Sequence, residues 1–92
     1  MSKRKPETIY TQAFVSYGAD AQYIQLQEEC AELIVALCHF RRGRIGPEEV
    51  CSEIADVRIM IEQAREMLGR KLVDEKYKEK LAVLEERIYG KE

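Results

Sequence analysis

Apolar residues recur every three or four positions along most of this chain, and glycine or proline interrupts the pattern at Pro6, Gly18, Gly43 to Pro47, and Gly69. That recurrence matches the turn of an α-helix, and no segment alternates with the two-residue period of a strand. The reading is therefore all-α, with four helices. Ile9, Tyr10, Ala13, Phe14 and Tyr17 give a short first helix that Gly18 stops. Asp20 is placed to cap the second, which runs to about Arg42 with Gly43 as terminator. Pro47 opens the third, with Glu48 and Glu49 in its first turn and Gly69 at its end. The fourth is expected from about Val73 to Tyr89, with Tyr77, Leu81, Leu84 and Ile88 on one face.

The second helix carries two apolar stripes. Tyr23, Leu26, Cys30, Leu33, Leu37 and Phe40 form one, and Ile24, Ala31, Val35 and Cys38 form the other. Gln25, Glu29, Glu32 and Ala36 fall between them, so these acids sit in a groove rather than on a free face. On the third helix the core stripe is Val50, Ile54, Val57, Ile61, Ala64 and Leu68. Glu53 projects from its edge beside Met60, and Asp56 lies one step further round, near Gln63.

Glu29/Glu32 and Glu53/Asp56 are thus two carboxylate pairs, each on one helical face. In a chain with 35% charged residues a single such pair is ordinarily a solvated face. These four differ in two respects. They border apolar stripes, and no Lys or Arg stands four residues away from any of them. Converging carboxylates repel unless a hard cation neutralises them, which makes oxygen ligation of Mg²⁺ the first expectation.

The bulk properties narrow the alternatives. Ninety-two residues read as one domain, 1–92, with residues 1–6 as a flexible tail. So small a chain has little interior of its own, so its core is expected to be completed by homo-oligomerisation. A formal charge of -2 gives no basic face for general nucleic-acid binding. No apolar run approaches a membrane span and none resembles a signal segment, so no membrane partner is expected. Cys30, Cys38 and Cys51 are odd in number and lack CxxC spacing, which argues against a disulfide framework and for a cytoplasmic protein.

Glu28-Glu29-Cys30-Ala31-Glu32, followed twenty residues later by Glu53-Ile54-Ala55-Asp56, resembles the EExxE…ExxD signature of the MazG-like all-α nucleoside triphosphate pyrophosphohydrolases. The resemblance extends to the order of the helices and is closest to the short single-domain members. It implies a four-helix MazG-like bundle, dimeric or tetrameric. It also implies cleavage of a (deoxy)nucleoside triphosphate between the α and β phosphates, giving the monophosphate and pyrophosphate. Glu29, Glu32, Glu53 and Asp56 would then be ligands of Mg²⁺, with Mn²⁺ as a substitute. Glu28 would act from beside them, orienting or deprotonating water. Lys76, Lys80 and Arg87 on the last helix would meet the triphosphate, and Gln22 and Gln25 the base or sugar. The competing reading is a non-catalytic helical interaction or regulatory module that keeps the fold.

Two further clusters carry less. Cys30, Cys38, His39 and Cys51 fit no common zinc spacing, and adjacent Cys38 and His39 cannot aim at one point from a helix. Arg41, Arg42 and Arg44 close the second helix, where cations oppose the helix dipole.

Overall fold

A computed structural model describes residues 3–90 and is helical throughout, with no strand among the described residues. The helices are α1 (Pro6–Tyr17), α2 (Ala19–Arg41), α3 (Pro47–Leu68) and α4 (Arg70–Tyr89). Among the described residues, no helix is long and apolar enough to cross a membrane. Of the segment expected as a tail, Lys3 to Lys5 precede α1 and are exposed, Pro6 is its first residue, and residues 1 and 2 lie outside the described range.

The predicted breaks hold, with small shifts. Gly18 takes φ 88° and Gly69 takes φ 121°, backbone geometry that side chains of L-residues rarely adopt. Each glycine both ends one helix and caps the next, so one helix passes into the other through a single residue. Asp20 is accordingly not the N-cap of α2. Gly18 fills that position, and Asp20 lies in the first turn, where its charge suits the helix dipole. The fourth helix starts at Arg70, three residues before the expected Val73, because no residue after Gly69 interrupts it. At the head of α3 the Gly46 N–H donates to Glu49 Oε2 at 3.0 Å, satisfying one of the donors a helix start leaves unpaired.

α2 and α3 form the main packed pair, α1 lies against both, and α4 touches only α3. The interior is thin. Its apolar members are Ala36 of α2 with Val50, Val57, Met60 and Ala64 of α3. On α3 the buried line runs Val50, Glu53, Val57, Met60, Ala64, alternating steps of three and four with half-buried Glu53 inside it. Ile54, Ile61 and Leu68, expected in the core stripe, are exposed. Both rows share Val50, Val57 and Ala64 and step by three and four; they differ in the flank that fills the intervals, and Glu53 and Met60 lie on the covered flank whereas Ile54, Ile61 and Leu68 lie on the open one. On α2 the line between the two stripes is the one that meets α3: Gln22 and Ala36 are buried, and Gln25 and Glu29 are half-buried. The second stripe, Ile24, Ala31, Val35 and Cys38, is exposed.

α4 differs most from the four-helix packing anticipated. None of its residues is buried. Its attachment is an ionic joint at the turn: Arg65 donates through Nε to Asp74 Oδ1 at 2.8 Å and through Nη2 to Asp74 Oδ2 at 2.7 Å. A second pair, Arg70 with Glu66, spans Gly69 itself. The Arg65 fork holds the Asp74 carboxyl below the ordinary carboxylate range, and Arg70 does the same for Glu66.

Candidate metal centre

The α2–α3 contact brings three of the four predicted ligands together. Glu29, Glu53 and Asp56 each offer a carboxylate oxygen, and those oxygens lie within 4.8 Å of one another. Helix geometry explains the convergence. Glu29 lies on the α2 line that faces α3, Glu53 lies in the buried line of α3, and Asp56 follows one turn later on the same side. Glu29 and Glu53 are half-buried, while Asp56 is exposed.

Glu32 stands one turn beyond Glu29 and is exposed, outside the tight group of three. It nevertheless feels the others. Its carboxyl is pushed above the ordinary carboxylate range, chiefly by the charge of Glu29, then by lost hydration, the charge of Glu53, a hydrogen bond shared with Glu29, and the charge of Asp56. All four acids therefore belong to one electrostatic unit.

The hydrogen bonding around this unit is incomplete. Gln25 Nε2 donates to Glu29 Oε1 at 2.9 Å, which fixes that carboxylate on α2. Glu29 Oε2 and Glu53 Oε2 are buried and have no hydrogen-bond partner. Ion pairs are formed at the α3–α4 joint and along α4. Two buried, partnerless carboxylate oxygens beside a third carboxylate are costly unless something positive joins them. An all-oxygen donor set of this kind suits a hard divalent cation, Mg²⁺ or Mn²⁺, better than zinc.

An open hollow of about 400 Å³ adjoins the acids, lined by Ala31, Glu32, Val35, Ala36 and Glu53. One wall is apolar and the other carries two of the acids. Glu28 is exposed on α2, one turn before Glu32 on the same side. Gln22 is buried, 8% exposed.

The basic residues anticipated at the site are not brought to it within one chain. Lys76, Lys80 and Arg87 are exposed on α4, which makes no contact with α2, and Lys76 pairs with Glu79 at 3.4 Å. The resemblance assigned them from their place on the last helix, and their position depends on where α4 goes after Gly69. Gln63 is the polar residue the sequence argument passed over. It is 6% exposed, two turns beyond Asp56 on α3, and its Oε1 is buried without a partner. Its seven-residue spacing from Asp56 was the available signal. Cys30, Cys38 and Cys51 are free thiols.

No protein-family model, curated protein or solved structure matches the chain.

Proposed function

We propose that this protein is a Mg²⁺-dependent, MazG-like nucleoside triphosphate pyrophosphohydrolase that works as a homo-oligomer in the cytoplasm. One observation carries the reading: Glu29, Glu53 and Asp56 meet within 4.8 Å, and two of their oxygens are buried without any partner. Glu29, Glu53 and Asp56 would hold the cation, with Glu32 completing the set. When bound, Mg²⁺ supplies the positive charge that offsets these carboxylates and draws in the phosphate oxygens of the substrate.

The chain's own groups divide the remaining work. Gln25 fixes the Glu29 carboxylate, so this ligand need not be ordered when the substrate arrives. The hollow beside Glu32 and Glu53 seats the nucleoside against Ala31, Val35 and Ala36, leaving its phosphates over the acids. Water attacks the α phosphorus, the bond from that phosphorus to the oxygen bridging the β phosphate breaks, and pyrophosphate leaves. Glu28, exposed and one turn from Glu32, takes the proton released by the water.

The placement of Lys76, Lys80 and Arg87 away from the acids favours a second reading, a non-catalytic helical module that binds a cation or nucleotide without turnover. Pyrophosphate release measured over a panel of nucleoside triphosphates with Mg²⁺ separates the two. Turnover in the parent, lost in Glu32→Gln and Glu53→Gln, supports the enzyme. Activity indifferent to both substitutions would sink the metal assignment, and an inert parent that still binds Mg²⁺ would leave the module.

A further inference from the structure

We infer that the α4 stripe formed by Tyr77, Leu81, Leu84 and Ile88 is the seam along which two copies of this chain pair. This inference stands apart from what the acids bind. The four residues are spaced four, three and four apart, the interval that keeps one line of a helix facing a partner helix. In the single chain that line faces nothing, and the four are 64%, 48%, 49% and 62% exposed. Charged groups, among them Lys78, Lys80, Glu85 and Arg87, flank the line on both sides, so the apolar strip is narrow and bordered as a coiled-coil seam is.

The surface of the whole chain points the same way. Its accessible area is 7628 Å², whereas a compact monomer of 10.7 kDa would expose about 5,500 Å². The difference, about 2,100 Å², exceeds the roughly 800 Å² that each partner contributes to a standard stable interface. The radius of gyration is 16.2 Å, against about 12 Å for a folded chain of this length. Apolar side chains left open on every helix contribute to this excess, and α4, joined to the others only through α3, carries Tyr77, Leu81, Leu84 and Ile88 among them.

The helix itself needs a partner. Isolated helices gain most of their stability from burying a face, and α4 buries none. Its ion pairs with itself, Lys71 with Glu75 and Lys76 with Glu79, are fully surface-exposed and contribute little. A second copy is the occupant that fits, because it offers the same narrow stripe at the same spacing and a two-fold axis satisfies both at once. Val57, Met60 and the acid groups belong to the α2–α3 contact, and α4 makes no contact with α2, so pairing through α4 leaves that contact intact.

Sedimentation equilibrium of the full chain across a wide range of concentration tests the inference. The expected mass is twice that of the chain or a higher even multiple. Leu81→Glu with Leu84→Glu should shift the mass to the monomer and lower the far-ultraviolet helical signal. Leu81→Met, which keeps an apolar side chain, should retain the dimer, and Glu86→Ala, on the opposite side of α4, should do the same. Survival of the Mg²⁺-dependent thermal shift in the double Glu variant separates loss of pairing from loss of the metal centre. A parent that stays monomeric at every concentration overturns the inference, as does a double variant that keeps the parental mass. A monomeric parent that sediments with phosphatidylglycerol vesicles through the stripe would assign α4 to a lipid surface and overturn it equally.

Discussion

Replacing Glu53 by glutamine should make the metal-free protein more stable while abolishing its response to Mg²⁺. In the parent, Glu53 lies with Glu29 and Asp56 in a group whose oxygens are within 4.8 Å. Two unit charges at that separation repel by about 3.5 kcal/mol at an effective dielectric near 20, and by about 0.9 kcal/mol in water. Glu53 is half-buried and Asp56 exposed, so the true repulsion lies between these limits. The substitution removes both of its pairings at once. It also exchanges a carboxylate oxygen for an amide N–H, a donor in a group where Glu29 Oε2 has none. The net gain should be about 1–3 kcal/mol, which for a domain of this size raises the melting temperature by roughly 4–24 °C. Thermal unfolding followed by circular dichroism, at one fixed protein concentration and with chelator, reads this directly. Added Mg²⁺ should raise the melting temperature of the parent and leave that of Glu53→Gln nearly unchanged. A variant less stable than the parent in chelator, or one that keeps the full Mg²⁺ shift, would refute the reasoning.

Two further outcomes follow from the same structure. Met60→Ala empties part of the thin α2–α3 interior and should cost about 2–5 kcal/mol, read as a lower urea midpoint with an unchanged slope. The pH dependence has a definite sign. Because the folded chain raises the Glu32 carboxyl above its ordinary value of 4.5, the folded form binds that proton more tightly than the unfolded form. Stability from this group is then complete below the ordinary value and falls as pH rises through the raised one. Asp74 and Glu66 act oppositely, since their lowered values add stability above the ordinary carboxylate range that is lost on acidification. Urea titrations in chelator should therefore show stability declining as pH rises above 4.5, and Glu32→Gln should remove that decline. An unchanged slope in the variant would count against the shared field of the four acids.

Helix positions were the most readable part of the chain, because their stops are local. Gly18 and Gly69 end helices through their own backbone freedom, and Pro47 starts one through its fixed φ. The acid line on α2 was also readable. Gln25, Glu29 and Ala36 lie between two apolar stripes, and that intermediate line is the one α3 covers. The core of α3 was less so. Ile54 and Ile61 are as apolar as Val57, and only packing against α2 shows that Met60 and half-buried Glu53 occupy the inner line while the isoleucines do not. Gln63 was passed over for the same reason, since a polar residue gives no sign of burial until its neighbours are placed.

The sequence alone determined four helices, their breaks, and two carboxylate pairs each facing one way, since all of these depend on neighbours within a turn or two. The tertiary structure decided which lines meet. It drew Glu29, Glu53 and Asp56 to within 4.8 Å, left Glu32 at the rim, and sent α4 with Lys76, Lys80 and Arg87 away from them. The physical reason is that helical spacing fixes the direction of a side chain relative to its own axis, whereas the meeting of two axes depends on how α2, α3 and the Arg65–Asp74 joint pack together.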